Sequence, residues 1–240
     1  GFGVKMNKAG DRFVASAPYD DQVQSNGGTM RVYQYTPSGS SSWTQVGADM
    51  GGYSTNDYYG TVAINAAGDR VAFSDGNRGN DRIFIYGESG GTWSQLGTNG
   101  NGSSSIYNSS SLFGASIDFN ERGNLLGIGS MDRVYFYEYS GSNWSQRGSY
   151  LDMNDNFGQS IALSASGNIY AAAEPNYDPP GLSNAGRIIV IGQQLSVSAS
   201  GTVISDVSGT NFTPGSNAYL SPTSEASITD VNNNNVKDFL

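Results

Sequence analysis

The chain has 240 residues with 33 glycines, 15 tyrosines and a formal net charge of −9. It contains no cysteine and no histidine, which excludes disulfides, thiolate metal sites and every catalytic triad built on these residues. The acidic charge argues against nucleic acid or an anionic membrane as partner, and no run of about 20 apolar residues is present. Because the chain opens at Gly1 without a methionine or signal peptide, we expect a processed or partial piece of a longer polypeptide.

The first unit, residues 1–50, contains short alternating segments typical of β-strands and no helical periodicity. It opens with Phe2-Gly3 and has a glycine-containing turn at residues 9–11. An alternating strand begins at Arg31, and a last strand signal starts at Trp43. The loop over residues 19–28 is long and polar.

The same order of elements returns in residues 51–105, 106–151 and 152–192, although the fourth unit lacks the tryptophan. The matching elements are the aromatic-glycine pairs Tyr59-Gly60, Phe113-Gly114 and Phe157-Gly158, the arginines Arg82, Arg133 and Arg187, and the tryptophans Trp93 and Trp144. Four strand signals in a period of roughly 45 to 55 residues predict the blades of a β-propeller, since one unit cannot bury both of its faces.

At residues 157–175 the sequence resembles the FG-GAP repeat, the unit of the integrin α-subunit propeller and of many bacterial, algal and viral surface proteins. Phe157-Gly158 corresponds to the FG element, and Ser16-Ala17-Pro18 and Ala173-Glu174-Pro175 correspond to the GAP element. The resemblance covers about residues 1–192. It implies an all-β, propeller-like array of four-stranded blades that acts outside the cell.

Calcium-binding members of that family carry an acidic loop of the DxDxDG type, whose alternate carboxylates supply oxygen ligands. Here the corresponding turns read NKAGDR, NAAGDR, NERGNL and SASGNI, so each keeps at most one carboxylate beside the glycine. We therefore expect plain hairpin turns in which glycine adopts a positive φ, and we expect no metal and no cofactor.

Residues 193–240 leave the repeat register and admit two interpretations. In the first, a strand over residues 195–204 completes the last blade and is followed by a linker. In the second, the segment over residues 209–216 (GTNFTPGS) opens an immunoglobulin-like domain of the IPT/TIG type, which it resembles.

Catalysis is not expected, because the usual nucleophile and base pairs are missing. Two acid pairs remain as candidates for a carboxylate-dependent glycosidase, Asp20 with Asp21 and Asp152 with Asp155. Acids in glycine-rich loops are more often solvated turn residues. The sequons at Asn101, Asn108, Asn143 and Asn211 accept glycans only if the chain meets a glycosylating pathway.

The recurring tryptophans and arginines each have a structural and a ligand-binding interpretation. Since the tryptophans recur at one position of the repeat, they are expected to pack between blades rather than to stack on sugars. Each arginine is expected to bond a neighbouring carbonyl or aspartate, because its guanidinium offers five donors in a fixed fork.

Loops carry most propeller contacts, and two loops combine an aromatic ring with acceptors after the GAP-like positions. The candidate ligand-binding residues are Tyr19, Asp20, Asp21, Tyr177 and Asp178. The sequence predicts a non-catalytic structural or recognition module of an extracellular, cell-surface or virion assembly, with other subunits or its own copies as partners. An adhesin that binds glycan or a host surface protein through these loops is the alternative.

Overall fold

In a computed structural model, the described residues are 2–22, 25–37, 42–51, 60–74, 82–97, 105–108, 110, 112–181 and 185–192, together with a small strand pair near the C-terminus. The chain divides into two compact units, residues 1–193 and 194–240. Every regular element of the described residues is a β-strand, and none of them forms a helix long and apolar enough to cross a membrane. The all-β class expected from the sequence is confirmed.

Unit 1 contains four antiparallel sheets in chain order, which we call blades 1 to 4. Blade 1 comprises β1 (Val4–Met6), β2 (Arg12–Ala17), β3 (Thr29–Thr36), β4 (Ser42–Gln45) and β5 (Met50–Gly51). Blade 2 comprises β6 (Val62–Ile64), β7 (Arg70–Ser74), β8 (Arg82–Ser89), β9 (Thr92–Gln95) and β10 (Ile106–Tyr107). In both blades the first four strands form a meander, and the fifth pairs with the other half of the third.

Blade 3 repeats this topology, and blade 4 shows its first three strands within the described residues. Blade 3 comprises β11 (Ser116–Phe119), β12 (Leu125–Gly129), β13 (Arg133–Tyr139), β14 (Trp144–Gln146) and β15 (Leu151–Asp152). Blade 4 comprises β16 (Ile161–Leu163), β17 (Ile169–Glu174) and β18 (Arg187–Gly192). Unit 2 contains the antiparallel pair β19 (Ile228–Thr229) and β20 (Asp238–Phe239). Both interpretations of residues 195–204 and 209–216 lie outside the described residues.

The fifth strands of blades 1 to 3, β5, β10 and β15, change the limits of the repeat units. Each still pairs with the third strand of its own sheet, so Gly51, Ile106-Tyr107 and Asp152 belong to the blade before the boundary that we placed on the sequence. The reason is that the chain completes a last pair of ladder hydrogen bonds before it crosses to the next blade.

A buried asparagine organises the turn between the first two strands of blades 1 to 3. Its side-chain oxygen accepts two backbone N–H groups across the turn, and in blade 4 a serine hydroxyl accepts one. The acceptor residues are Asn7, Asn65, Asn120 and Ser164. The glycine three residues later has a φ between 69° and 79° in every blade, which confirms the expected turn glycines.

These turns also join neighbouring blades. Arg12 donates to the carbonyl oxygen of Gly68, and Arg70 donates to that of Gly123. In blade 3 the same position is Leu125, which packs directly on the turn glycine of blade 4. One position of the repeat thus contacts the next turn glycine at all three blade junctions.

Three apolar clusters hold unit 1 together, and each spans one pair of neighbouring blades. We call the side of a sheet that is turned toward the previous blade its leading face and the opposite side its trailing face. In each cluster the trailing face of one blade packs on the leading face of the next. Because side chains alternate along a strand, every inner blade buries both faces. The core therefore lies between the blades.

The strand register corrects two alignments made on the sequence. Arg82, Arg133 and Arg187 begin their strands, but Thr29 takes that place in β3 and Arg31 lies two residues further along. The alignment of Arg31 with the other arginines was therefore wrong, although a shift of two residues keeps its side chain on the same face.

The second correction concerns the first aromatic-glycine pair. The amide of Phe2 donates to the carbonyl oxygen of Ser16 in the way that Gly60, Gly114 and Gly158 donate in their own blades. Phe2 rather than Gly3 thus holds the position of the repeated glycine, because the backbone hydrogen bond sets this register.

Candidate functional site

The loop after β2 places the three sequence-predicted residues of blade 1 in different environments. Tyr19 and Asp21 are exposed, and Asp21 accepts the amide of Asn26. Asp20 is mostly buried and accepts the amide of Gln22, the hydroxyl of Thr29 and a guanidinium nitrogen. Only Tyr19 and Asp21 therefore face solvent as ligand contacts would.

The guanidinium belongs to Arg31, which bridges two carboxylates. Its Nη2 lies 2.9 Å from Asp20 Oδ2 and 2.6 Å from Asp49 Oδ2. The amide of Gln22, with further hydrogen bonds from Thr29 and Arg31, lowers the pKa of Asp20. The hydrogen bond from Arg31 lowers the pKa of Asp49. All three groups are charged at neutral pH, so this cluster ties the loop to the sheet and confirms a structural partner for Arg31.

The corresponding loop of blade 4 has the same plan with other residues. Tyr177 occupies the position of Asp20, since both donate their amide to the residue three before them. The Arg187 guanidinium carbon lies 3.8 Å from the centre of the Tyr177 ring, and Arg187 also donates to the buried carboxylate of Glu174. Asp178 is exposed. Tyr177 thus has a partner within its own blade.

Two acidic positions bear on the glycosidase alternative. Asp20 and Asp152, one from each candidate pair, both have an arginine partner, and Arg133 Nε lies 3.1 Å from Asp152 Oδ2. At Asp20, hydrogen bonds from the amide of Gln22, from Thr29 and from Arg31 lower the pKa, which favours the charged carboxylate over the protonated acid that a general acid requires. Among the described residues no group of three acidic side chains is arranged to hold a metal ion.

Asp118 on β11 differs from these carboxyl groups. Burial raises its pKa, although the amide of Leu163 donates to it at 2.7 Å. This hydrogen bond crosses from blade 4 to blade 3. Asp118 thus connects β11 of blade 3 to β16 of blade 4.

The tryptophans join neighbouring blades through their ring nitrogen. Trp93 Nε1 donates to the carbonyl oxygen of Val46 at 2.9 Å, and Trp144 Nε1 donates to that of Leu96 at 2.9 Å. In both cases the acceptor directly follows the fourth strand of the preceding blade. The expected packing role between blades is confirmed for these two residues.

Trp43 has the same position in blade 1 and a different environment. It is 41% exposed, whereas Trp144 is 2% exposed, and no acceptor for its indole N–H occurs among the described residues. Its ring packs on Phe13 and Tyr35 at centroid distances of 4.8 and 5.4 Å. This aromatic cluster belongs to the leading face of blade 1.

Much of the leading face of blade 1 is open. Val4 and Met6 on β1 are 66% and 56% exposed, and Tyr33 and Tyr35 are partly exposed. A cleft of about 310 Å³ is lined by residues 2–5 of blade 1 and residues 60–62 of blade 2.

The trailing face of blade 4 is open as well. Ile188 and Val190 on β18 are 73% and 66% exposed, and Ile169 on β17 is also exposed. The opposite face of the same sheet packs on blade 3 through Ile189 and Ile191. The array of blades therefore ends in two uncovered apolar sheet faces.

The similarity of this chain to known proteins is distant. No family model and no curated protein matches the chain. Two similar solved structures are a putative 6-phosphogluconolactonase from Bacteroides fragilis (13% identity, TM-score 0.44) and Kuenenia stuttgartiensis hydrazine synthase (10% identity, TM-score 0.47). The matches cover 63% and 80% of this chain, but only 38% and 45% of those chains.

The sheets themselves define the class. The protein is an all-β, propeller-like array of blades built from one recurring unit. Sequence reasoning missed the asparagine of the turn, although it recurs in NKAGDR, NAAGDR and NERGNL as the first letter. It also missed the open end faces, because exposure depends on which sheets lie side by side.

Proposed function

We propose that the chain is a non-catalytic structural module of a larger extracellular or virion surface assembly, with FG-GAP-like repeats as its units. The observation that carries this proposal is the open leading face of blade 1. In the inner blades the same positions are buried at a junction between sheets. A module that presents such a face to solvent is suited to packing against another sheet.

The loop residues support this choice over the adhesin. Asp20 and Tyr177 have partners within their own blades, which leaves Tyr19, Asp21 and Asp178 as the exposed members of the candidate set. These three belong to loops of two different blades. A glycan site of the kind proposed for an adhesin normally combines an exposed ring with several convergent acceptors.

Light scattering on the native complex tests the proposal. We expect a particle heavier than the 25.3 kDa of one chain, with the same mass in EDTA. A 25.3 kDa species that is retained on a glycan array would instead establish the adhesin. The variant Tyr19→Ala should leave the mass of the assembly unchanged, whereas the adhesin predicts that it loses binding.

A further inference from the structure

We propose that the open leading face of blade 1 binds the open trailing face of blade 4 from a second copy of this chain. This inference rests on the proposed function and names the partner. The contact is head to tail: two different surfaces meet, and each copy has one of each. Between two copies, this contact would form the same type of junction that occurs three times between neighbouring blades of one chain.

Part of the leading face of blade 1 repeats the buried leading face of blade 2. The register places Val4 where blade 2 has Val62, and Tyr33 where it has Tyr86. Val62 and Tyr86 are 1% and 7% exposed, because blade 1 covers them. At these two positions blade 1 has the same residues without the covering sheet. The match is not complete, because Arg31 of blade 1 stands where blade 2 has an aromatic ring.

The trailing face of blade 4 matches the buried trailing face of blade 2 equally well. In the ladder, Ile188 and Val190 stand where blade 2 has Ile83 and Ile85, and Ala171 stands where it has Ala72. The blade 2 residues are at most 3% exposed under blade 3. Small residues on the middle strand and β-branched residues on the third let the next sheet approach closely.

Trp43 supplies a polar element to the contact. The equivalent Trp93 and Trp144 donate their indole N–H to a carbonyl of the preceding blade. Trp43 has no acceptor among the described residues, and it stands in a preformed aromatic cluster with Phe13 and Tyr33. A rigid cluster of this type is the usual centre of a protein interface.

A second copy is the proposed partner because one chain contains both surfaces of a junction, a leading face and a trailing face. Within a copy these halves stand at opposite ends of the blade order, and both are exposed, so they do not cover each other. A contact between unlike surfaces closes into a ring or continues as a filament. Two copies of four blades make eight, which lies within the usual range for closed propellers.

Sedimentation of three double variants of the 240-residue chain tests the contact. The leading-face variant is Val4→Asp with Met6→Asp, and the trailing-face variant is Ile188→Asp with Val190→Asp. The control, Tyr107→Asp with Met131→Asp, adds the same charges at exposed apolar positions outside both end faces. All six side chains are solvent-exposed, and circular dichroism of each variant verifies that the sheets have formed.

We expect the wild type and the control to form species of at least twice 25.3 kDa. Each face variant alone should associate more than about 100-fold more weakly, because a buried aspartate has no partner in the junction. An equimolar mixture of the two face variants should recover one contact, since each retains the half that the other lacks. That mixture should stop at two chains.

Three results would overturn the head-to-tail contact. One is a wild type that remains a monomer across the concentration series. Another is a pair of folded face variants that associate like the control; assembly then persists through another surface, and the proposed function stands without this partner. The third is a mixture that remains monomeric, because the intact trailing face of one variant then does not bind the intact leading face of the other. A monomeric wild type that binds glycans would contradict both the head-to-tail contact and the proposed function.

Discussion

At the scale of single residues, the turn asparagine stabilises the fold by accepting backbone hydrogen bonds. The Oδ1 atom of Asn120 accepts the amides of Asn124 and Leu125 at 3.0 Å, and its side chain is almost fully buried. These amides have no strand partner at the tip of the turn. Without the asparagine oxygen they would be buried donors, which is a costly state.

We therefore expect Asn120→Ala to lower the free energy of unfolding by about 2–4 kcal/mol, since two backbone donors lose their acceptor. Urea denaturation of the monomer measures the change. Asn154→Ala is the matched control: its side chain is exposed, and the loss there should remain within about 0.5 kcal/mol. Equal losses in the two variants would contradict the role of the turn oxygen.

The Arg31 cluster predicts a pH-dependent loss. Because the pKa values of Asp20 and Asp49 lie below the ordinary value of 3.8, their stabilisation is present above about pH 4 and is lost as the pH falls through the folded-state values. Arg31→Gln should thus cost about 1–3 kcal/mol at pH 7. The cost should shrink toward pH 2.

Urea denaturation at a series of pH values measures this difference. Arg147→Gln is the control, because Arg147 has no carboxylate partner in the described part of the chain. It should show a small and nearly constant effect. An Arg31→Gln deficit that is the same at pH 7 and pH 2 would show that the ion pairs do not account for the stability of the loop.

At the scale of blades, junctions depend on close backbone approach and on hydrogen bonds between neighbouring sheets. A Cβ atom at Gly129 would lie 1.9 Å from the carbonyl oxygen of Gly158, so only glycine allows blade 4 to approach blade 3. Ser116 donates to the same carbonyl at 2.8 Å. The buried clusters supply most of the apolar contact, and these close contacts set the position of one sheet on the next.

Trp144→Phe should destabilise the monomer by about 1–3 kcal/mol, because it leaves a small cavity and removes the donor to the carbonyl of Leu96. Trp43→Phe should change the stability of the monomer by less than about 0.5 kcal/mol, since Trp43 is not covered by another blade. Thermal denaturation of dilute protein compares the two variants. A larger loss in Trp43→Phe would contradict an open first blade.

At the scale of the molecule, we predict that the turns need no metal ion. Where calcium-binding relatives of the resembled family would place alternate carboxylates, Asp11 and Asp69 bond the side-chain amides of Asn7 and Asn65. We expect the melting temperature to be the same within about 1 °C in EDTA and in millimolar calcium. Calorimetry measures it. A clear rise in calcium would show that acidic groups on these turns bind the ion.

The repeat order made much of the molecule predictable from sequence. Alternation and turn glycines predicted the strands, and the recurrence of Trp93 and Trp144 predicted packing between blades. The loop candidates could not be resolved in this way. Asp20 and Asp21 are neighbours of one residue type, yet one contacts Arg31 across 11 residues of chain and the other faces solvent. Their environments differ because the pairing of β2 with β3 brings Arg31 next to Asp20 and not next to Asp21.

The sequence alone determined the all-β class and the four-fold recurrence, because the period of apolar side chains and the turn residues are local properties. Tertiary structure decided the register, which moved Arg31 out of line with the other arginines. It also decided which faces remain uncovered. Equivalent residues such as Val4 and Val62 have the same local sequence pattern, and their exposure differs because burial depends on the neighbouring sheet and not on the residue itself.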